Sequence, residues 1–252
     1  MKNVKIFYTG GFDSTFRILQ LSRQKVIIQP FYVIDKNRKS LSLELERMHK
    51  IIKSLEERKD TYAKFSDITI VEKDEIPHDE TITKAFNFLQ NNIRIGGQYE
   101  WLGRLAKLHP GIELGIEKTN GEYSGCSFAI EKYGQLKEED GNWILNKECS
   151  SNELSLVFGN FSFPIYYLTE VEMVNWIKKY EYEDIMSLIW FCHHPINNQP
   201  CGICRPCQQK MECGMEFLVQ PKAKKRYKFY TTLNNKSNFL AKTYSRLLFL
   251  FH

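Results

Sequence analysis

Val4-Lys5-Ile6-Phe7-Tyr8-Thr9-Gly10-Gly11-Phe12-Asp13-Ser14-Thr15 is the stretch on which the reading of this chain turns. Val4–Tyr8 is apolar, with β-branched and aromatic side chains, and predicts a buried strand. Gly10 and Gly11 end it, and a helix is expected from Ser14 towards Leu21. Two glycines let a backbone turn sharply and come close to a ligand. The helix that follows starts with unsatisfied N–H groups at the positive end of its dipole, and together these attract an anion. Thr9, Ser14 and Thr15 add hydroxyl donors. The plainer alternative is a tight turn in which Asp13 or Ser14 is an ordinary N-cap.

Outward from this loop, strand and helix alternate. Val26–Ile34 predicts a second strand, and Leu41, Leu45, Met48, Ile52 and Leu55 recur at helical spacing. Asp67–Val71 reads as a third strand, Thr83–Leu89 and Tyr99–Leu108 as helices, and Ile112–Ile116 as a fourth strand. Parallel neighbours need crossover connections, so the pattern predicts an α/β fold with a doubly wound parallel sheet. Ligands in such sheets bind beyond the carboxyl ends of the strands, where the loops Thr9–Ser14, Asp35–Ser40 and Glu117–Gly125 are expected to meet. Gly121–Ser151 is polar and reads as an irregular insertion or a hairpin. Thr169 and Glu172 fit a capping box, which places a helix over Glu170–Lys179. Met186–Phe191 is expected to be the last strand.

The 252 residues can bury a full core, and 42% hydrophobic with 26% charged residues is ordinary for a globular protein. The N-terminal apolar run stops at Gly10, too soon for a secretory signal, and no segment approaches a membrane span. A cytoplasmic location without membrane contact is the expectation. The formal charge of +5 is unevenly placed. After Glu216 come eight Lys or Arg and no acidic residue, so the preceding body carries 27 basic against 30 acidic groups. We read residues 1–220 as a catalytic domain and 221–252 as a basic C-terminal tail.

Four of the seven cysteines fall together in WFCHHPINNQPCGICRPC, as Cys192-x8-Cys201-x2-Cys204-x2-Cys207. Four thiolates suit a closed tetrahedral zinc site with a structural role, since no coordination position is left for catalysis. The rivals are an iron–sulfur cluster, a redox CxxC pair, and a site in which His193 or His194 replaces a cysteine. Cys126, Cys149 and Cys213 read as free thiols, at least two of them in or near the core.

The loop TGGFDS resembles the SGGxDS loop of the ATP-pyrophosphatase superfamily, with Thr9 where Ser is usual. Both motifs, in this order and separation, resemble 7-cyano-7-deazaguanine synthase over roughly residues 1–215. The resemblance implies a nucleotide α-hydrolase fold and a reaction that consumes ATP, with magnesium, to turn 7-carboxy-7-deazaguanine and ammonia into a nitrile. It implies that Thr9, Gly10, Gly11, Phe12, Asp13, Ser14 and Thr15 hold ATP, with Asp13 and Ser14 the catalytic candidates. Cys192, Cys201, Cys204 and Cys207 would hold zinc. Gln98, Tyr99, Glu100 and Trp101 stand where that family lines its base pocket. There Gln98 and Glu100 would read a purine-like edge, and Tyr99 or Trp101 would stack on its face. The same residues also fit a helix start with aromatic core positions.

Two departures mark a divergent paralogue: Ile34-Asp35-Lys36-Asn37-Arg38 after the second strand, and Glu170 where the family often has Lys. Some similar proteins act in bacterial antiviral systems, attaching a deazapurine to a partner protein. The tail, with Lys222, Lys224, Lys225, Arg226 and Lys228 around Tyr227 and Phe229, suits an acidic partner or nucleic acid. Other readings are a tRNA-modifying ATP pyrophosphatase and a non-catalytic zinc-ribbon protein. Leu247–Phe251 is too apolar to remain exposed and is expected to pack on the body or on a second subunit as a homodimer.

Overall fold

A computed structural model of the chain describes residues 1–36, 40–118, 124–212 and 215–250. The first half alternates as the sequence predicts: β1 (Lys2–Phe7), α1 (Phe12–Ser22), β2 (Val26–Ile34), α2 (Leu41–Glu56), β3 (Lys64–Phe65), β4 (Thr69–Glu72), α3 (Glu80–Ile93), α4 (Gln98–Leu108) and β5 (Ile112–Glu113). There follow α5 (Cys126–Tyr133), β6 (Leu136–Glu139), β7 (Asn142–Leu145), α6 (Asn152–Phe158), β8 (Phe161–Ser162), α7 (Glu170–Lys179) and α8 (Glu183–Met186). The chain closes with α9 (Arg205–Glu212), α10 (Pro221–Lys236) and α11 (Asn238–Leu250).

The strands form one eight-stranded sheet in the order β3-β2-β1-β5-β8-β7-β6, with β4 also paired to β2. Every pairing from β3 through β8 is parallel, and the pairings of β7 with β8 and with β6 are antiparallel, so β7 alone among these strands runs against the rest. Side chains alternate across β1: Val4, Ile6 and Tyr8 enter one core while Phe7 enters the other. The first core gathers α1, α2, α7 and α8, and the second gathers α3 to α6, so helices cover both faces. The chain winds outward from β1 through β2 and then crosses to β5 on the other side. The order therefore reverses between β1 and β5, which is where such sheets open a ligand crevice.

The expectations for two strands need correction. The third strand is two short pieces, β3 on Ile27–Ile28 and β4 on Phe31–Ile34, with Asp67 between them. Met186–Phe191 is not a strand: Met186 ends α8, and Leu188 and Ile189 turn back onto Ile185 and Met186. Its apolar side chains serve two cores instead, Ile189 in one and Trp190 in another, which a short apolar run does in coil as readily as in strand. The last parallel strand is β8, whose two residues are too few to show a period.

The polar insertion is partly a hairpin, as one of the two readings had it. Asp140 and Gly141 both lie at positive φ, 52° and 75°, the geometry of a two-residue turn between β6 and β7. The Thr169 capping box is present, with Glu172 N–H donating to Thr169 Oγ1 at 3.2 Å and Thr169 N–H to Glu172 Oε2 at 2.8 Å.

The tail is a helical hairpin, not a frayed end. Tyr230, Tyr244, Leu248 and Phe249 pack on the core around the cysteines, and Arg226 donates to the carbonyls of Cys201 at 2.7 Å and Pro200 at 3.0 Å. Packing of Leu248 and Phe249 on the body answers part of the expectation for this end, whereas Leu247 and Leu250 remain exposed. No helix among the described residues is long and apolar enough to cross a membrane.

Candidate functional site

The glycine loop lies at the point where the sheet order reverses. Gly10 has φ of 66°, and a Cβ there would stand 3.2 Å from Met48 Cγ, so the turn needs glycine. From Gly11 the chain enters α1 with no side chain capping its N-terminus. Asp79, Ser151 and Thr169 cap α3, α6 and α7, while α2, α4, α5, α8 and α10 likewise start without a side-chain cap. Gly115, just past β5, presses against the start of α1: a Cβ there would lie 3.1 Å from Ser14 N and 3.3 Å from Asp13 Cβ.

A cavity of about 190 Å³ opens over this helix start, lined by Tyr8, Thr9, Gly11, Phe12, Asp13, Ser14, Gln98, Trp101, Leu102, Leu114 and Gly115 among others. Ser14 is 9% exposed, and its hydroxyl finds no hydrogen-bond partner among the described residues. A buried hydroxyl without a partner costs free energy unless something else supplies one. Burial pushes the Asp13 carboxyl up to about 6, with Lys210 pulling it down and Glu170 pushing it further up.

Of the seven loop residues expected to hold a nucleotide, Thr9, Gly11, Phe12, Asp13 and Ser14 line this cavity. Gly10 shapes the turn, and Thr15 is fully buried beside the Tyr8 phenol. The four α4 residues divide likewise. Gln98 and Trp101 line the cavity. Glu100 is committed elsewhere, accepting from Thr83 Oγ1 at 2.6 Å and Arg104 Nη2 at 2.9 Å, which ties α4 to α3 and to its own next turn. Tyr99 packs on Phe158 with ring centroids 5.2 Å apart, and its phenol meets the Cys126 thiol. Residues 37–39 and 119–123, in the other two loops expected here, lie outside the described residues, and so does Cys213.

The four cysteines come together as the spacing predicts. Their sulfurs all lie within 4.8 Å of one another, with Cys201 to Cys207 and Cys192 to Cys204 at 3.9 Å each. A tetrahedron with metal–sulfur bonds of about 2.3 Å has edges of about 3.8 Å, so the cage fits a zinc-sized ion. The backbone N–H of Cys201 donates to Cys192 Sγ at 3.1 Å, and that of Cys204 to Cys201 Sγ at 3.2 Å. Such N–H donors stabilise thiolate charge around a metal. Gly202 makes the knuckle possible: its φ is 86°, and a Cβ there would fall 2.2 Å from the Ala223 carbonyl oxygen of α10. Cys126 is buried and Cys149 exposed, so only the first of these two joins the core.

The cysteine site and the glycine loop touch, which their sequence positions did not reveal. Trp190 N–H donates to Gly10 O at 2.8 Å as the chain approaches Cys192. On the far side of the knuckle, α9 carries Lys210 to a point 4.1 Å from the centre of the Phe12 ring. Neither the known family models nor the characterised protein sequences contain a match to this chain.

Proposed function

We propose that this chain is an ATP-consuming, adenylate-forming enzyme whose carboxylate substrate is a 7-deazaguanine, with ammonia as nitrogen donor and a nitrile as product. The observation that carries the reading is the bare N-terminus of α1, opening on a cavity at the sheet's reversal point with the buried Ser14 hydroxyl unpartnered. A phosphate group supplies the acceptor oxygens that helix N–H groups and this hydroxyl lack. The cavity is smaller than the roughly 300 Å³ at which whole-ligand sites begin, so a nucleotide fills it with one end only. Gln98 and Trp101 are the pair left to meet a base, one for its edge and one for its face.

The chemistry follows from the poor electrophilicity of a carboxylate. Adenylation gives it a good leaving group and releases pyrophosphate, whose charge the loop N–H groups would stabilise, with magnesium supplying further positive charge when it accompanies the nucleotide. Ammonia then displaces AMP to give an amide, and a second adenylation of the amide oxygen drives its loss as AMP and leaves the nitrile. Sulfur transfer to tRNA fits less well. That reaction needs a reactive thiolate, whereas burial pushes the Cys126 thiol well above its usual range. Zinc on the four cysteines would hold the knuckle, with no part in the reaction.

Incubation with ATP and 7-carboxy-7-deazaguanine tests the reading by product mass. AMP, pyrophosphate and free nitrile, with two AMP per nitrile, are expected. ADP as product, or no affinity for any deazaguanine, overturns it. A second acceptor is favoured by the folded tail, whose exposed Lys222, Lys225, Lys228 and Phe229 form a surface that a small substrate does not need. If an acidic protein takes the place of ammonia, free nitrile is scarce and that protein gains the deazapurine mass.

A further inference from the structure

Lys210 is a lysine in a place where lysine is costly. Its side chain is 6% exposed, on α9, three residues beyond Cys207. A buried ammonium needs a close partner, and charge-assisted N–H···O bonds run at about 2.7–2.9 Å. Here the best carboxylate oxygen, Glu170 Oε1, stands 3.4 Å away and is shared with Gln209 Nε2 at 3.5 Å. Its other neighbours are soft: the Met215 sulfur at 3.7 Å and the face of Phe12 at 4.1 Å. The ammonium is thus under-paired and aimed at the residue preceding Asp13. Phe12 forms part of the cavity wall, so the ammonium backs that wall without entering the cavity.

We infer that Lys210 is the positioning cation of the glycine-loop site, a charge carried in from the cysteine knuckle that supports Phe12 from behind the cavity wall on which Asp13 lies. This rests on the nucleotide reading of the loop and deepens it. Among the described residues, the charged groups whose fields reach Asp13 are Lys210 from α9 and Glu170 from the first turn of α7, with the Tyr99 phenol of α4 also coupled to it. Their effects oppose one another: the ammonium favours the carboxylate and Glu170 disfavours it. Burial is the largest influence and pushes the Asp13 carboxyl up to about 6, with the ammonium pulling against it. The site is consequently wired to the cysteines. Residues that fix the knuckle also fix where this ammonium sits.

The test is a ¹³C NMR titration of the Asp13 carboxyl carbon, assigned by its loss in Asp13→Asn, alongside ATP affinity by calorimetry. Lys210→Met should raise the midpoint by about one pH unit or more and weaken ATP at neutral pH about tenfold. Lys210→Arg should restore both, and Glu170→Gln should move the midpoint the opposite way, downward. A purely structural lysine would lower melting temperature in Lys210→Met and leave the midpoint where it was, which overturns the inference. If Lys210→Met does not fold, Glu170→Gln decides alone, and an unmoved midpoint there is equally fatal. ATP binding by the wild type together with unmoved midpoints removes Lys210 from the site and leaves the nucleotide reading intact. Wild-type protein that binds no ATP removes the nucleotide reading and, with it, the role given to Lys210.

Discussion

Trp190 donates its backbone N–H to the carbonyl oxygen of Gly10 at 2.8 Å, joining the strand-to-helix turn to the segment that enters the cysteine cluster. A loop made of two glycines is intrinsically loose, since glycine loses the most conformational freedom on ordering. Fastening its carbonyl to the segment that leads into the four-cysteine cluster is one way to keep the turn set.

Metal removal should therefore be felt at both places. The chain is expected to hold one zinc, with four Zn–S distances of about 2.3 Å by X-ray absorption. Iron with sulfide, or nitrogen ligands, would contradict this. Chelation or Cys204→Ser should cost several kcal/mol of stability, because ion binding to such sites is itself folding free energy. A calorimetric melt checks the loss, and ATP affinity of the stripped protein should fall in parallel.

Three glycine positions give a graded test of backbone geometry, with the knuckle at its severe end. Gly202→Ala meets both a positive φ of 86° and the Ala223 carbonyl at 2.2 Å, so it should cost more than about 3 kcal/mol. Gly141→Ala has a φ of 75° with open space around it and should cost about 1–2 kcal/mol. Gly97 has φ −61° and ψ −22° with nothing near, so Gly97→Ala should gain about 0.4–1 kcal/mol. Urea midpoints of the three variants should fall in that order.

Arg17 and Glu113 form a part-buried bidentate pair, both bonds at 2.7 Å, lining a different cavity from the one over the loop. Removing one partner strands the other charge, and Glu113→Ala should cost about 3–5 kcal/mol. ATP affinity at a temperature where the variant remains folded should change little, which separates this pair from the site.

Asp13 makes a pH prediction whose sign is opposite to that of most carboxylates. Its folded value of about 6 lies above that of an unfolded aspartate, near 3.9, so the folded state binds the proton more tightly. Stability is then higher below pH 4 as far as this group is concerned, and it declines as pH rises from about 4 to about 6. Asp13→Asn should abolish that slope and stabilise the ligand-free protein at pH 7 by about 1–2 kcal/mol, while turnover collapses. Ser14→Ala should also depress turnover, yet cost little stability, since its hydroxyl has no partner to lose.

Local signals in the sequence settled a good deal about this protein. The strand-glycine-helix turn, the alternation through Glu113, the Thr169–Glu172 capping box and the four-cysteine cluster all depend on residues a few positions apart. Backbone geometry and side-chain reach act at that range, so spacing alone reveals them. Tertiary structure decided the rest. Glu100 looked free to read a base until α3 brought Thr83 against it, and Met186–Phe191 looked like a strand until two cores divided its side chains. Lys210 carried no signal at all in a run of polar residues after Cys207. Only the folding of the knuckle onto α1 places its ammonium under Phe12. The energy of such a pairing depends on distance in space, and separation along the chain says nothing of that.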